Sequence, residues 1–144
     1  MLKAVIIDDE VDAIKSTEMI LNEYCGNVTV VGTAMNVNDG IELIRQKKPD
    51  IVLLDVEMPQ ASGFDLLEQI PDRTFHVIFI TAYDHYAIKA IRQSAVDYIL
   101  KPIDIDELVQ AVKRVEKTGH TNVDSESLKV LFDNLNVTIP SKIA

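Results

Sequence analysis

Short apolar runs alternate with longer amphipathic stretches along most of this chain. Apolar runs of four to six residues bounded by turn or charged residues are typical of strands that are buried on both faces of a parallel sheet. Five such runs predict five strands, at residues 4–7, 28–31, 51–54, 76–80 and 97–100. The stretches between them place apolar side chains at helical spacing. They predict helices at about residues 11–24, 36–48, 63–70, 85–94 and 104–117.

Strands that alternate with helices predict an α/β fold in which helices cover both faces of a parallel sheet. Crossover connections between parallel strands are right-handed, so few topologies remain. We predict a doubly wound, flavodoxin-like five-stranded sheet with strand order 2-1-3-4-5. In this order the first and third strands are neighbours at the switch point, where ligands bind.

The pattern changes after residue 117. Residues 118–136 begin with a polar stretch and continue into an amphipathic segment, which predicts a linker that carries an additional C-terminal helix. One stripe of that helix would carry Leu128, Leu131, Phe132 and Leu135. Residues 137–144 resemble the first strand of another unit, and a strand is not stable by itself. We therefore predict three parts: a main domain at 1–117, a linker at 118–136 and the start of another unit at 137–144.

Composition and charge exclude several classes of function for the main domain. The chain has 144 residues, 47% hydrophobic residues and a formal net charge of −9, which argues against direct binding of nucleic acid phosphates. One cysteine excludes an internal disulfide framework. The sequence shows neither a signal peptide nor an apolar run of the roughly 18 residues needed to cross a membrane. We expect a cytoplasmic protein with no membrane association.

Acidic side chains follow two strands that the predicted order places side by side. Asp8 and Asp9 follow the first strand, and Asp55 follows the third. Two carboxylates about 4 Å apart repel by roughly 4 kcal/mol at an effective dielectric constant of about 20. A hard divalent cation relieves this repulsion, and carboxylates with a main-chain carbonyl, here that of Glu57, are typical Mg²⁺ ligands. The sequence therefore predicts a magnesium site at this edge.

The fourth and fifth strands end in groups that bind phosphate. Thr81 carries a hydroxyl group, and Lys101 carries a compact positive charge. A cation, a hydroxyl and an ammonium group together stabilise a phosphoryl group during transfer. Asp55 lies among them and can act as a nucleophile that forms an acyl phosphate.

Four motifs at these strand ends resemble those of the response-regulator receiver domains of two-component signalling. The resemblance covers about residues 1–117. It is carried by Ile6-Ile-Asp-Asp-Glu10, by Leu53-Leu-Asp55-Val-Glu-Met-Pro59, by Ile80-Thr-Ala82 and by Asp97-Tyr-Ile-Leu-Lys-Pro102. No motif position departs from the family's pattern.

The resemblance implies a role for each acidic residue. Asp55 would accept a phosphoryl group from a sensor histidine kinase, so the domain would be a signalling domain and not an enzyme. Asp8, Asp9, Asp55 and the main-chain carbonyl of Glu57 would hold Mg²⁺.

The resemblance also implies a switch. Thr81 and Lys101 would bind the phosphoryl oxygens, and Tyr98, near the sheet edge and expected to be partly exposed, would be the aromatic switch residue. Phosphorylation would then change the surface of the fourth helix, fifth strand and fifth helix and produce a homodimer. The family also predicts a cis bond between Lys101 and Pro102.

Two further stretches resemble receivers that are attached to LytTR-type DNA-binding domains. These are Tyr83-Asp-His-Tyr-Ala87 and Ser94-Ala-Val-Asp-Tyr-Ile-Leu-Lys-Pro-Ile103, and Pro140-Ser-Lys-Ile-Ala144 resembles the opening of such a domain. The expectation is a longer native chain that contacts DNA only through that missing C-terminal domain. A stand-alone receiver is the alternative.

Three other functions stay open at this point. A phosphatase of the haloacid dehalogenase type would carry its nucleophile in an Asp-x-Asp motif after the first strand and its acidic pair late in the chain. Here the acidic pair follows the first strand instead, and Glu57 stands where the second Asp after Asp55 would be. A flavodoxin-like binding module would need a phosphate loop where this chain has Asp8-Asp-Glu10, which repels phosphate. The third is an interaction domain that works without phosphorylation.

Overall fold

The computed structural model describes residues 1–118, and these form one five-stranded parallel sheet with helices on both faces. The strands are β1 (Leu2–Ile7), β2 (Val28–Ala34), β3 (Ile51–Leu54), β4 (His76–Thr81) and β5 (Asp97–Leu100). The helices are α1 (Val11–Tyr24), α2 (Val37–Lys47), α3 (Gly63–Glu68), α4 (Ala87–Arg92) and α5 (Ile105–Thr118). The strand order is β2-β1-β3-β4-β5, so the predicted fold is confirmed.

The alternation of side chains along the strands builds two separate cores. On β3, Val52 and Leu54 join the core that also contains residues of α2, α3 and α4. Ile51 and Leu53 point the other way, into the core shared with α1 and α5. All four are at most 1% exposed, and burying a side chain of this size contributes about 1.5–3 kcal/mol. A strand that is buried on both faces therefore explains the unbroken apolar run before Asp55.

Several boundaries differ from the predicted ones for local reasons. β2 continues through Gly32 to Ala34 because it stays paired with β1 past an irregularity at Ala4/Val5. α3 ends at Glu68, short of Pro71, because the residue before a proline disfavours helical geometry. α4 is shorter than the predicted helix at 85–94, and Ser94 beyond its end has a left-handed φ of 61°.

Three local features surround the end of β5 and the start of α5. The side chain of Asp104 accepts a hydrogen bond from the main-chain N–H of Glu107 (3.0 Å), as an N-cap residue does. The Lys101–Pro102 peptide bond is cis. Buried Asp97 pairs with Arg114 and so joins β5 to α5.

The predicted linker and additional helix, and residues 137–144, lie outside the described residues apart from the backbone of Thr118. Within residues 1–118, no helix is both long and apolar enough to cross a membrane.

Gly63 lets α3 begin directly behind the end of β3. A Cβ atom at this position would overlap the main-chain oxygen of Asp55 and would lie 2.9 Å from Cγ of Leu54. The N–H of Gly63 also donates to the carbonyl of Val56 (2.7 Å), so this turn cannot simply move away.

We expect Gly63→Ala to lower the free energy of unfolding by about 1–3 kcal/mol, because the backbone must shift to accept the methyl group. Urea denaturation measures this change. Gly26→Ala is the matched control, since a Cβ there meets nothing within 4 Å. Equal stability of the two variants would contradict the predicted overlap.

Candidate functional site

Main-chain hydrogen bonds hold the backbones of Asp8 and Asp55 at the carboxyl edge of the sheet. The N–H of Asp8 donates to Ala34 (3.0 Å), and the N–H of Asp55 donates to Ile7 (3.0 Å). Each bond extends a strand pairing by one residue. The two aspartates are therefore fixed in the same rigid frame as the neighbouring strands.

Four acidic residues converge at this edge: Asp8, Asp9, Glu10 and Asp55. Each can place a carboxylate oxygen within 4.8 Å of the others. Asp8 and Asp55 are buried, with 4% and 5% of their surface exposed, whereas Glu10 is exposed. The sequence predicted three members of this cluster and missed Glu10. Its position directly after Asp9 was the available signal.

Lys101 lies at the centre of these carboxylates. Its Nζ is 3.0 Å from Oδ2 of Asp8, 3.0 Å from Oδ2 of Asp55 and 2.6 Å from Oε1 of Glu10. Burial alone would lower the pKa of Lys101, but the three ion pairs outweigh it and raise this pKa, so the ammonium form is stable at neutral pH. One ammonium group faces four carboxylates, so the site keeps an excess of negative charge.

Two buried oxygens in this site have no hydrogen-bond partner among the described residues: Oδ1 of Asp55 and Oγ1 of Thr81. Leaving a buried polar atom unpaired costs about 1–3 kcal/mol. Thr81 is the last residue of β4, and its carbonyl accepts a hydrogen bond from the N–H of Lys101 (2.8 Å). An oxygen-rich donor set with an unpaired carboxylate oxygen fits a hard divalent cation, and the unpaired hydroxyl fits an oxygen-rich anionic group.

Burial raises the pKa of Asp8 to about 6. The charge of Asp55 adds to this increase, whereas the N–H of Glu10 and the ammonium of Lys101 oppose it. Between pH 3.8 and about 6, the folded protein holds a proton on Asp8 that the unfolded chain has lost. The stability that this proton contributes is complete below pH 3.8 and is lost as the pH rises through about 6.

We therefore expect Asp8→Asn to raise the free energy of unfolding of the metal-free domain by about 1–2 kcal/mol at pH 7, because a neutral amide avoids burying the charge. The gain should disappear near pH 4, where Asp8 itself is neutral. Denaturation in EDTA at both pH values measures this gain in the free energy of unfolding. Asp72→Asn, which makes the same change at an exposed turn residue, is the control. A gain that does not depend on pH would contradict the raised pKa.

Glu57 lies on the wall of a cavity of about 490 Å³ beside this site, together with Asp9, Asp55 and Tyr83. Its side chain is exposed and accepts a hydrogen bond from the hydroxyl of Tyr86 (2.7 Å). The expected contribution of the Glu57 main-chain carbonyl to a metal site stays a prediction. The hydrogen bond from Tyr86 had no signal in the sequence.

The expected partial exposure of Tyr98 is wrong. This side chain is 1% exposed, because its ring packs against Phe79 with centroids 6.0 Å apart and its hydroxyl donates to the main-chain carbonyl of Tyr83. Burial raises the pKa of Tyr98. Position near the sheet edge suggested exposure, but the loop before α4 covers this ring.

Comparison with proteins of known sequence agrees with the resemblance found at the four strand-end motifs. Residues 4–113 match the family described as the response regulator receiver domain. The chain is 42% identical over 141 residues to an uncharacterized response regulatory protein of Vibrio vulnificus, covering 97% of this chain and 58% of that protein. It is 36% identical over 118 residues to the transcriptional regulatory protein BtsR of Escherichia coli, covering 81% and 49%. The chain thus spans about half the length of these curated relatives.

Solved structures share the fold. The receiver domain of AraT, a response regulator from Geobacillus stearothermophilus, superimposes with a TM-score of 0.73 at 31% identity, covering 81% of this chain and 94% of that one. CheY of Borrelia burgdorferi, in a complex with CheX, beryllofluoride and Mg²⁺, gives 0.73 at 26% identity, covering 80% and 89%. The phosphatase and flavodoxin alternatives are not favoured. With these matches and the strand-end site, the chain belongs to the response regulator receiver domain family of two-component signalling.

Proposed function

We propose that this receiver takes a phosphoryl group from a sensor histidine kinase onto Asp55 in a Mg²⁺-dependent reaction. The modified domain then forms a homodimer and controls an attached transcriptional effector. The observation that carries the proposal is a pair of buried oxygens without a hydrogen-bond partner within residues 1–118, Oδ1 of Asp55 and Oγ1 of Thr81, in a site that also contains the ammonium group of Lys101.

The acidic residues have separate tasks in this proposal. Asp8, Asp9, Asp55 and the main-chain carbonyl of Glu57 would hold Mg²⁺. The bound cation would neutralise charge on the phosphoryl oxygens during transfer. A carboxylate oxygen of Asp55 attacks phosphorus, a P–O bond forms, and the P–N bond to the donor imidazole breaks. The product is an acyl phosphate on Asp55.

Thr81 and Lys101 act on the transferred group. The hydroxyl of Thr81 donates to one phosphoryl oxygen and so gains a partner for its unpaired Oγ1. Nζ of Lys101 moves from the Asp55 carboxylate, 3.0 Å away, to a second phosphoryl oxygen. Both interactions strengthen as negative charge develops on those oxygens, which is the condition for catalysis.

The switch is a shift between two packings of Thr81 and Tyr98. Tyr98 is inside the protein, with its hydroxyl on the carbonyl of Tyr83. We assign this inward position to the signalling state. When the phosphoryl group holds Thr81, it stabilises the inward Tyr98 and the corresponding surface of α4, β5 and α5, through which two receivers pair.

Control of transcription would be carried out by a part of the protein other than the receiver. The relatives include a transcriptional regulatory protein about twice as long as the matched segment, which supports an attached effector. We propose the division 1–117 receiver, 118–136 linker and 137–144 start of a LytTR-type DNA-binding domain, in a cytoplasmic regulator. Because the chain is acidic, with a formal net charge of −9 over its 144 residues, contact with DNA would be left to that effector.

Size-exclusion chromatography with light scattering tests the proposal. Wild-type protein with Mg²⁺ and beryllofluoride, a phosphoryl analogue, should elute as a dimer, and EDTA should return it to a monomer. Asp55→Asn should stay monomeric under both conditions. A dimer of the Asp55→Asn variant as stable as that of the wild type, or no ligand-dependent change in the wild type, would refute it.

A further inference from the structure

Tyr86, in the loop between β4 and α4, binds the carboxylate of Glu57, and Tyr83 of the same loop packs beside Tyr86. The hydroxyl of Tyr86 donates to Oε1 of Glu57 at 2.7 Å. Hydrogen bonding to Glu57 raises the pKa of both Tyr86 and Tyr83, because a phenolate beside this carboxylate is unfavourable. The exposed carboxylate of Glu57 therefore accepts a hydrogen bond from Tyr86, and the ring of Tyr83 lies beside this pair, 6.5 Å from the ring of Tyr86.

The rings around Tyr86 fix the direction of its hydroxyl. The Tyr86 ring packs against Phe64 with centroids 5.8 Å apart and against His85 with centroids 4.1 Å apart. Phe64 is itself buried. The phenol therefore extends from a packed base, which lowers the entropy lost when it binds Glu57.

The position of Glu57 makes this contact important for the chemistry nearby. Glu57 is two residues after Asp55 and lines the same cavity as Asp9, Glu10 and Asp55. If its side chain turned into the pocket, it would add a fifth carboxylate to four. An additional negative charge attracts a cation more strongly and repels an incoming phosphoryl group.

We propose that Tyr83 and Tyr86 are positioning residues that keep the Glu57 carboxylate at the rim, outside the cation and phosphoryl pocket. This inference rests on the proposed function, because it concerns how the same site balances its two ligands. The hydroxyls are suited to the task since they are uncharged: they orient the carboxylate without placing a positive charge beside the phosphoryl group. Glu57 then contributes only its main chain to the pocket.

The test is a double substitution, Tyr83→Phe with Tyr86→Phe, which removes both hydroxyls and keeps both rings. Mg²⁺ affinity is measured by calorimetry, and beryllofluoride affinity is measured at saturating Mg²⁺. With Glu57 released, we expect Mg²⁺ to bind roughly three- to tenfold more tightly and beryllofluoride to bind weaker by a similar factor. Thermal unfolding of each variant verifies that it is folded.

A second set of variants distinguishes loss of Glu57 positioning from a general loss of order in the loop between β4 and α4. In a Glu57→Gln background the same two substitutions should change both affinities less than about twofold, because no charge is released. Tyr24→Phe removes the hydroxyl of an exposed tyrosine at the end of α1 and is the control. It should change neither affinity.

Opposite shifts that depend on Glu57 support the inference. Weaker binding of both ligands in the double variant would mean that the tyrosines only order the loop, and unchanged binding would mean that they do not position Glu57; either result overturns it. Failure of the wild-type protein to bind Mg²⁺ would overturn the proposed function and the inference together. Normal wild-type binding with unresponsive variants would overturn the inference alone.

Discussion

Asp55→Asn should abolish covalent phosphorylation of the domain by acetyl phosphate and Mg²⁺. The rate should fall by at least about 10³-fold, because a neutral amide oxygen does not replace the carboxylate as the nucleophile. Intact-protein mass spectrometry measures the loss as the absence of the mass increase of one phosphoryl group. The fold should persist, since Asn has the shape of Asp and keeps an oxygen for Lys101, which is 3.0 Å from Oδ2 of Asp55.

Asp72→Asn is the control for this experiment. Asp72 is exposed in the turn before β4, and its substitution should leave the phosphorylation rate unchanged. A phosphoryl adduct of normal yield on the Asp55→Asn protein would place the acceptor elsewhere. Peptide mapping of the wild-type adduct would then identify the other residue.

Lys101→Met should slow phosphorylation by about 10²-fold at saturating donor and Mg²⁺, the usual effect of removing one group that stabilises transition-state charge. Met has a similar length without the charge, so packing against the neighbouring residues is largely kept. Rates are measured by quenched time courses and mass spectrometry. The metal-free variant should also be less stable at pH 7, because Asp8, Glu10 and Asp55 lose their shared counter-ion.

Two other lysine substitutions show whether the charge of Lys101 or the shape of its side chain determines the phosphorylation rate. Lys101→Arg keeps a cation but changes its shape, so we expect an intermediate rate. Lys113→Met removes an exposed charge on α5 and should have no effect. If Lys101→Met and Lys113→Met behave alike, Lys101 does not act on the phosphoryl group.

The sequence predicted the framework because the signals for it are local. The run Ile51–Leu54 is apolar throughout, which only a strand covered on both faces requires, and such strands with intervening helices leave few arrangements. Residues that directly follow strand ends, such as Asp8 and Asp55, inherit their positions from this framework. Their proximity followed from topology alone.

The details that sequence reasoning missed depend on contacts between distant segments. Tyr86 is 29 positions from Glu57 along the chain, and no periodicity connects them. The burial of Tyr98 depends on the path of the loop that contains Tyr83. The start of α4 at Ala87, two residues later than predicted, lies beside contacts of the same kind, since Tyr86 donates to Glu57 and packs against His85.

The distribution of the site over the chain has a consequence for the lifetime of the protein. The carboxylates and the ammonium group come from segments as far apart as Asp8 and Lys101, so a molecule in which any one of these segments has opened cannot hold the ligands. Ligand binding at the proposed site would therefore disfavour the opening of every segment that contributes to it, by linkage. Because proteases attack opened chains, the proposed function predicts that the phosphorylated domain is degraded more slowly than the unmodified one.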